Sequence, residues 1–292
     1  MAEPSKKKSI LTKCCIIGLG LMGGSMGMAL GKCGLVQESW GFDLNPRAMK
    51  EAKARGAVDE TGPLSSALER AELVIIAAPV GVIPSLLENI VPLLDSNALV
   101  TDMGSSKLFV TEAMCSKLPP WIHGIGGHPM AGSELSGIGS ASAELFQDAA
   151  YYLTPARGVT QKSLELMEVV VRSIGARPQL IDPWEHDMLM APLSHLPQLV
   201  SVTLVNVMAR YSQKKNEISS MVGRGFKDTT RIAAGDPLIW RDIFLSNKGN
   251  VQESLKTFFQ EMEVFIDCLE RGDEEGIYNF LEGAASFRRS LI

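Results

Sequence analysis

The stretch CIIGLGLMGGSMG, residues 15–27, confines the fold more tightly than any other part of the chain. An apolar run leads into Gly18-x-Gly20-x-x-Gly23, and an uncharged helical pattern follows. Glycines at these spacings allow a tight turn after a strand. They also let a pyrophosphate approach a helix N-terminus, where free N–H groups and the dipole favour an anion. Glycine triplets arise by chance, so context decides. The next strand-like run, SWGFD, ends in Asp43, 20 residues beyond Gly23, where a carboxylate can accept hydrogen bonds from ribose hydroxyls. That charge repels a 2′-phosphate, and the nearest arginine after it is Arg47, which points to NAD rather than NADP. The competing account is an ordinary glycine turn, with Asp43 opening the loop before Asn45-Pro46. Gly18, Gly20, Leu21, Met22, Gly23 and Asp43 are the candidate cofactor residues. Pro79, in AAPVGVI, joins them by ending a buried strand where a dinucleotide would continue across the sheet.

Residues 13–182 alternate between strand-like and helical patterns. KCCIIG, SWGFD, ELVIIAAP, ALVTD, WIHGIGG, AYYLTP and RPQLID read as strands, with helices at Pro46–Arg55, Val82–Leu94 and Gln161–Ser173. Short apolar runs separated by helical periods predict β-α-β units, hence an α/β fold with a doubly wound, Rossmann-type parallel sheet. Beyond Asp182-Pro183 no convincing strand follows, and the chain reads as an all-helical C-terminal dimerisation domain. Leu196–Tyr211 is apolar on nearly every face, as a helix buried on all sides would be. Val251, Leu255, Phe258, Met262, Phe265 and Leu269 form a stripe at spacings of four and three, suited to a core or to an obligate dimer interface. The expected division is a disordered tail over 1–12, a dinucleotide-binding domain over 13–182 and a helical substrate and dimerisation domain over 183–292.

Charge and cysteines narrow the class. With 28 basic and 33 acidic residues the chain lacks the basic excess of a general nucleic-acid binder. Five cysteines without C-x-x-C or metal spacing fit a reduced, cytoplasmic protein with no metal. Cys14–Gly31 carries no charge and follows a lysine-rich stretch, so it mimics a signal peptide or a membrane span. Its six glycines fit a strand, a tight turn and a buried helix better, so no membrane association is expected.

GIGGHPMAGSE, residues 124–134, sets one of only four histidines between glycines and a proline. Oxidising an alcohol carbon needs a base at the hydroxyl proton, and imidazole titrates near neutral pH. His128, held at a turn with room for a ligand, is the candidate; a histidine satisfied in a loop is the alternative. VTDMGSSK, residues 100–107, ends a strand and begins a helix. Ser105 is there either as a simple N-cap or as a site residue at the carboxyl edge of the sheet. GRGFKDTTR, residues 223–231, is either a solvated loop or a source of a fixed guanidinium for a carboxylate ligand.

GLGLMGGS, VTDMGSSK, GGHPMAGSE, PLSHLP and GFKDTTRIAAGDPLIWRDIF, in this order and spacing, closely resemble the prephenate/arogenate dehydrogenase family of tyrosine biosynthesis. The likeness runs over about residues 13–290. GGHPMAG with FKDTTR is its specific part. It implies NAD-dependent oxidative decarboxylation of a cyclohexadienol: hydride leaves C4, the ring carboxylate departs as CO₂, and the ring becomes aromatic. By motif, His128 matches the catalytic histidine that hydrogen-bonds the 4-hydroxyl, and Ser105 the serine that orients that hydroxyl and the histidine. Arg231 matches the arginine that holds a substrate carboxylate, and His195 a second active-site histidine. Asp228 resembles the acid that steadies the arginine. Trp240 resembles the aromatic that reaches the neighbouring subunit's pocket, which makes a homodimer part of the site. Many relatives carry a C-terminal domain that senses tyrosine; this chain ends about 20 residues after Gly272, so feedback through such a domain is not expected.

Prephenate and arogenate differ where one has a keto group and the other an ammonium. A carboxylate at Glu134, six residues after His128, would attract the ammonium; a role at the start of the following helix is the alternative. Two other readings compete with the whole. A β-hydroxyacid or 6-phosphogluconate-type dehydrogenase would use a lysine as acid/base, with Lys107 or Lys227 as candidates. A non-enzymatic NAD-binding sensor would leave His128, Ser105 and Arg231 without a task.

Overall fold

The computed structural model of the protein describes residues 9–132, 135–212 and 221–291. Its centre is one eight-stranded sheet: β1 (Leu11–Ile17), β2 (Val36–Phe42), β3 (Glu60–Thr61), β4 (Leu73–Ile76), β5 (Leu99–Asp102), β6 (His123–Pro129), β7 (Ala150–Pro155) and β8 (Arg177–Leu180). The strands lie in the order β3-β2-β1-β4-β5-β6-β7-β8. Every neighbouring pair is parallel except β6 with β7. The order reverses between β1 and β4, and ligands of open α/β sheets bind at such a switch point, outside the carboxyl ends of the strands.

Helices α1 (Leu21–Cys33), α2 (Pro46–Ala54), α3 (Leu64–Leu68), α4 (Ile83–Ile90), α5 (Leu108–Lys117) and α6 (Gln161–Ser173) connect the strands. Helix-covered faces explain the uninterrupted apolar strands, because successive side chains alternate between two buried layers. Cys14, Ile16, Leu73 and Ile75 enter one core with Met26, Leu30 and Val170. Cys15, Ile17, Val74 and Ile76 enter the other with Ile83, Leu87 and Val110. The uncharged stretch Cys14–Gly31 is therefore a central strand and a packed helix, with the glycine turn between them.

After β8 the described chain is helical: α7 (Pro183–Met190), a π-helical turn (Ala191–His195), α8 (Leu196–Ser212), α9 (Arg224–Thr230), a 3₁₀ turn (Arg231–Ala234), α10 (Pro237–Ser246), α11 (Lys248–Arg271) and α12 (Glu274–Ser290). Pro183–Ser212 runs as one helix, long and apolar enough to cross a membrane by length and composition alone. It carries His186, Asp187 and His195 to buried positions, which ties it to the site rather than to lipid.

Two expectations change here. Helix α8 is not buried on all sides, since within one chain only Gln198 and Ser201 are buried along it. The stripe on α11 is not core either: Val251 is its one buried member, while Met262 and Leu269 face outward. Helix α12 buries none of its residues, and Phe287 on it is 66% exposed. Among the described residues of one copy, these apolar faces stay largely uncovered.

Candidate active site

The glycine turn is built as its spacing predicts. Gly18 has φ +94°, and a side chain there would strike the Ala77 carbonyl at the end of β4. A side chain on Gly23 would strike the Gly18 carbonyl, whereas nothing lies within 4 Å of the position a Gly20 side chain would take. Gly20 is the N-cap of α1 and offers no side-chain cap to the first N–H groups of the helix. Leu21 and Met22, half-buried, begin the helix. Asp43 follows β2 directly. Its Oδ2 accepts from Leu19 N (2.8 Å) and its Oδ1 from Asn45 N (2.8 Å), so the carboxylate also braces the turn. Pro79, exposed, caps a 3₁₀ turn at Val80–Val82 just beyond β4. An open, uncapped helix N-terminus with a carboxylate at the next strand end fits a dinucleotide.

His128 lies within strand β6, opposite Tyr152 of β7, and not at a turn. The glycines before it have a different task from clearing space for a ligand. A side chain on Gly126 would strike Thr154, and one on Gly127 would lie 2.5 Å from the Asp102 carbonyl and 2.9 Å from Tyr151. They let β6 close tightly on β5 and β7.

Around His128 the fold gathers a buried polar cluster. His128 Nδ1 is 2.8 Å from His186 Nε2, and His186 Nδ1 is 2.8 Å from Asp187 Oδ1. Asp187 also accepts from the backbone N–H groups of Lys107 (2.7 Å) and Leu108 (3.0 Å), the first residues of α5 and its cap. Ser105 is therefore not the N-cap of α5; Lys107 occupies that position, and Asp187 supplies the acceptors. Ser105 is half-buried in the loop after β5. Its neighbours are pinned on both sides: Gly104 N donates to Asp102 Oδ2 (2.7 Å), and Ser106 Oγ meets Ser246 Oγ of α10 at 2.7 Å. The same Asp102 carboxylate accepts from Gly127 N (3.0 Å) and pairs with the fully buried Lys107 ammonium. One carboxylate thus ties the loop of Ser105 to the strand that carries His128.

His195 ends the π-helical turn. Its Nδ1 is 3.2 Å from Asn247 Nδ2, which also donates to the Asp187 carbonyl (2.7 Å). Its Nε2 is buried and has no hydrogen-bond partner among the described residues. The Trp240 ring stands edge-on to His195, centroids 6.3 Å apart, within the same chain. The family resemblance has this aromatic reaching a neighbouring subunit; within one chain it lies against His195. Arg231 opens the turn that packs against α8, and Asp228 lies in α9; both are at exposed positions. Glu134 lies outside the described residues.

Burial, with help from His186, Lys107 and His195, holds the His128 imidazole well below its ordinary pKa of 6.5. Burial likewise lowers His195 to about 4, against the opposing pull of Asp187. Both rings are thus neutral near pH 7, as a proton acceptor must be. Burial lowers Lys107 too, opposed by Asp102. Among the described residues no group of three or more His, Cys, Asp or Glu is placed to hold a metal ion. His186 and Asp187 went unremarked in the sequence, where PWEHDM reads as an ordinary helix start.

Residues 26–180 match the family description "Prephenate dehydrogenase, nucleotide-binding domain", and residues 182–283 match "Prephenate dehydrogenase, dimerization domain". The chain is similar to prephenate dehydrogenase of Bacillus subtilis, 31% identical over 94% of this chain and 75% of the relative. It is equally similar to cyclohexadienyl dehydrogenase of Zymomonas mobilis, at 30% over 97% of each. Among solved structures, prephenate dehydrogenase of Aquifex aeolicus in complex with hydroxyphenyl propionate and NAD⁺ superimposes with a TM-score of 0.91. That structure is 30% identical, and the match covers 98% of this chain and all of that one. The chain belongs to the prephenate dehydrogenase family.

Proposed function

We propose that the protein oxidises prephenate to 4-hydroxyphenylpyruvate with NAD, releasing CO₂. The observation that carries this reading is a buried His128, held neutral near pH 7, in a sheet whose first turn leaves an uncapped helix N-terminus for a dinucleotide. The nicotinamide supplies the hydride acceptor when bound, held through Gly18, Gly20, Leu21, Met22, Gly23, Asp43 and Pro79. His128 takes the 4-hydroxyl proton as carbonyl character develops at C4. It returns that proton to the phenolic oxygen once the ring carboxylate has left as CO₂ and its electrons have closed the aromatic ring. Ser105, set between two pinned neighbours, orients the hydroxyl against the imidazole. Arg231, steadied by Asp228, binds a carboxylate of the substrate, and the unpartnered Nε2 of His195 offers a further polar contact.

A dinucleotide-binding domain over 13–182 and a helical substrate and dimerisation domain over 183–292 divide the work. The apolar faces of α8, α11 and α12 are read as a homodimer interface, with Trp240 at the margin of the pocket. No nucleic-acid or membrane partner is required, and a cytoplasmic enzyme is the consistent setting. The lysine-based alternative loses its best candidate, because the Lys107 ammonium is fully buried and paired with Asp102.

The deciding experiment follows NADH formation with prephenate and arogenate in parallel. Turnover of prephenate is expected; activity on 3-hydroxyacids alone, or NAD binding without turnover, would overturn the reading. Glu134 is proposed to favour the arogenate ammonium. Glu134→Gln should then lower kcat/KM for arogenate selectively, and equal losses on both substrates would end that role.

A further inference from the structure

The contacts around Asp187 decide where every proton in the buried cluster sits. A carboxylate only accepts. Its Oδ1 takes the Lys107 N–H (2.7 Å) and its Oδ2 the Leu108 N–H (3.0 Å), at the start of α5, where the helix dipole favours an anion. His186 Nδ1, 2.8 Å from Oδ1, must therefore donate. In its neutral form His186 has one N–H, which Asp187 takes, and its Nε2 is then an acceptor. His128 Nδ1 is 2.8 Å from that acceptor and must donate in turn. The remaining nitrogen of His128, Nε2, then carries a lone pair.

We propose that His186 and Asp187 are positioning residues for the reaction: together they fix His128 in the Nδ1–H tautomer, so that Nε2 is the base presented to the substrate hydroxyl. The inference rests on the reaction proposed above and adds the two residues that make His128 competent for it. When Nε2 takes the hydroxyl proton, the Nδ1–H stays in place, and the new imidazolium is stabilised by the His186 dipole, itself aligned by the Asp187 charge. No proton passes to Asp187; the one that enters at Nε2 returns to the phenolic oxygen.

The packing supports the arrangement. His186 is fully buried, Asp187 is 1% exposed, and the two histidine rings meet edge-on with centroids 5.0 Å apart. Tyr152 of β7 closes the other side of His186, its ring centroid 5.6 Å away. The other ionisable groups facing the cluster are Lys107, which is bound to Asp102, His195 from the π-helical turn, and Tyr151, whose hydroxyl lies against Gly127.

The chain has four histidines, so ring nitrogen resonances can be assigned by single substitutions. In wild-type protein without substrate, ¹⁵N spectra should show the His128 proton on Nδ1; a proton on Nε2 would overturn the proposal outright. His186→Phe, which keeps a ring but no acceptor, should leave the two His128 tautomers mixed. It should also lower kcat by roughly ten- to a hundred-fold, the scale of a misplaced reacting group. KM for prephenate and affinity for NAD should change by less than about three-fold, as for an interaction felt only in the transition state. His186→Gln, whose amide can accept from His128 and donate to Asp187, should restore the single tautomer and part of kcat. The proposal is overturned if His186→Phe keeps more than half of kcat, or if Phe and Gln variants fall equally with matching losses of melting temperature. Lack of prephenate turnover with a Nδ1-protonated His128 would count against the reaction and leave the relay standing.

Discussion

At the scale of single residues, two buried histidines set the pH behaviour of the protein. His128→Asn should lower kcat by roughly 10²–10⁴-fold, the usual contribution of a positioned base, with NAD affinity nearly unchanged. A variant that keeps more than half of wild-type kcat would remove His128 from the chemistry. Stability carries a second signature. His195 titrates at about 4 in the fold, chiefly through burial, and near 6.5 when unfolded; His128 is displaced in the same direction. Between those values the unfolded chain binds more protons than the native one. The stabilisation is therefore complete above about pH 6.5 and is lost as pH falls through the window toward about 4. Thermal unfolding followed stepwise across this window should show the melting temperature falling with acidification. A flat profile would mean that these rings are solvated rather than buried.

At the scale of elements, the ends of β1, β2 and β5 bring the glycine turn, Asp43 and the Ser105 loop to the carboxyl edge of the sheet. Asp43 directly follows strand β2, and its two oxygens accept from Leu19 and Asn45, which holds the carboxylate beside the glycine turn. Wild-type enzyme should prefer NAD over NADP, and Asp43→Ser should weaken that preference. Faster turnover with NADP at equal subsaturating concentrations would refute this role for β2. This site was legible because strand, turn, helix and acid are contiguous within about thirty residues, as the fingerprint requires. Strand β6 was read as a strand, but His128 was placed at a turn beyond it, since Gly-Gly-His-Pro looks the same whether a ligand or a neighbouring strand comes close; only the fold reveals Tyr151 and the Asp102 carbonyl against Gly127. Asp187 as the cap of α5 was not legible at all. The helix start it serves lies 80 residues earlier, and no local pattern in SSKLF announces a missing cap. For Ser105 the structure removes the N-cap alternative, which arose because a cap is ordinarily sought in the preceding few residues.

At the scale of the whole molecule, the two halves of the chain satisfy their apolar surface differently. The sheet domain buries its apolar residues within one chain, in two layers. The helical half leaves Phe259 59% exposed and Leu269 61% exposed on α11, with Leu204 and Val207 outward on α8 and Phe287 on α12. Contiguous exposed apolar surface on this scale marks an interaction site, and the match to a dimerisation domain is why a second copy is proposed as its partner. The periodicity of α11 was readable from the sequence, but whether its stripe meets its own chain or another depends on tertiary packing. The helices that form this surface also carry the site: α8 continues directly from His195, and α10 holds Trp240 and precedes Asn247. Separating the subunits should therefore disturb catalysis as well as assembly. Met262→Glu with Leu269→Glu places two carboxylates in an apolar interface without partners. An uncompensated buried charge costs about 3–5 kcal/mol, so the dimer should weaken by roughly a hundred-fold or more. Sedimentation should then show a monomer at micromolar concentration, with the far-ultraviolet spectrum retained and prephenate turnover reduced. A variant that still sediments as a dimer would place the interface elsewhere. A fully active monomer would show that each chain completes its own site, with Trp240 serving only the histidine beside it.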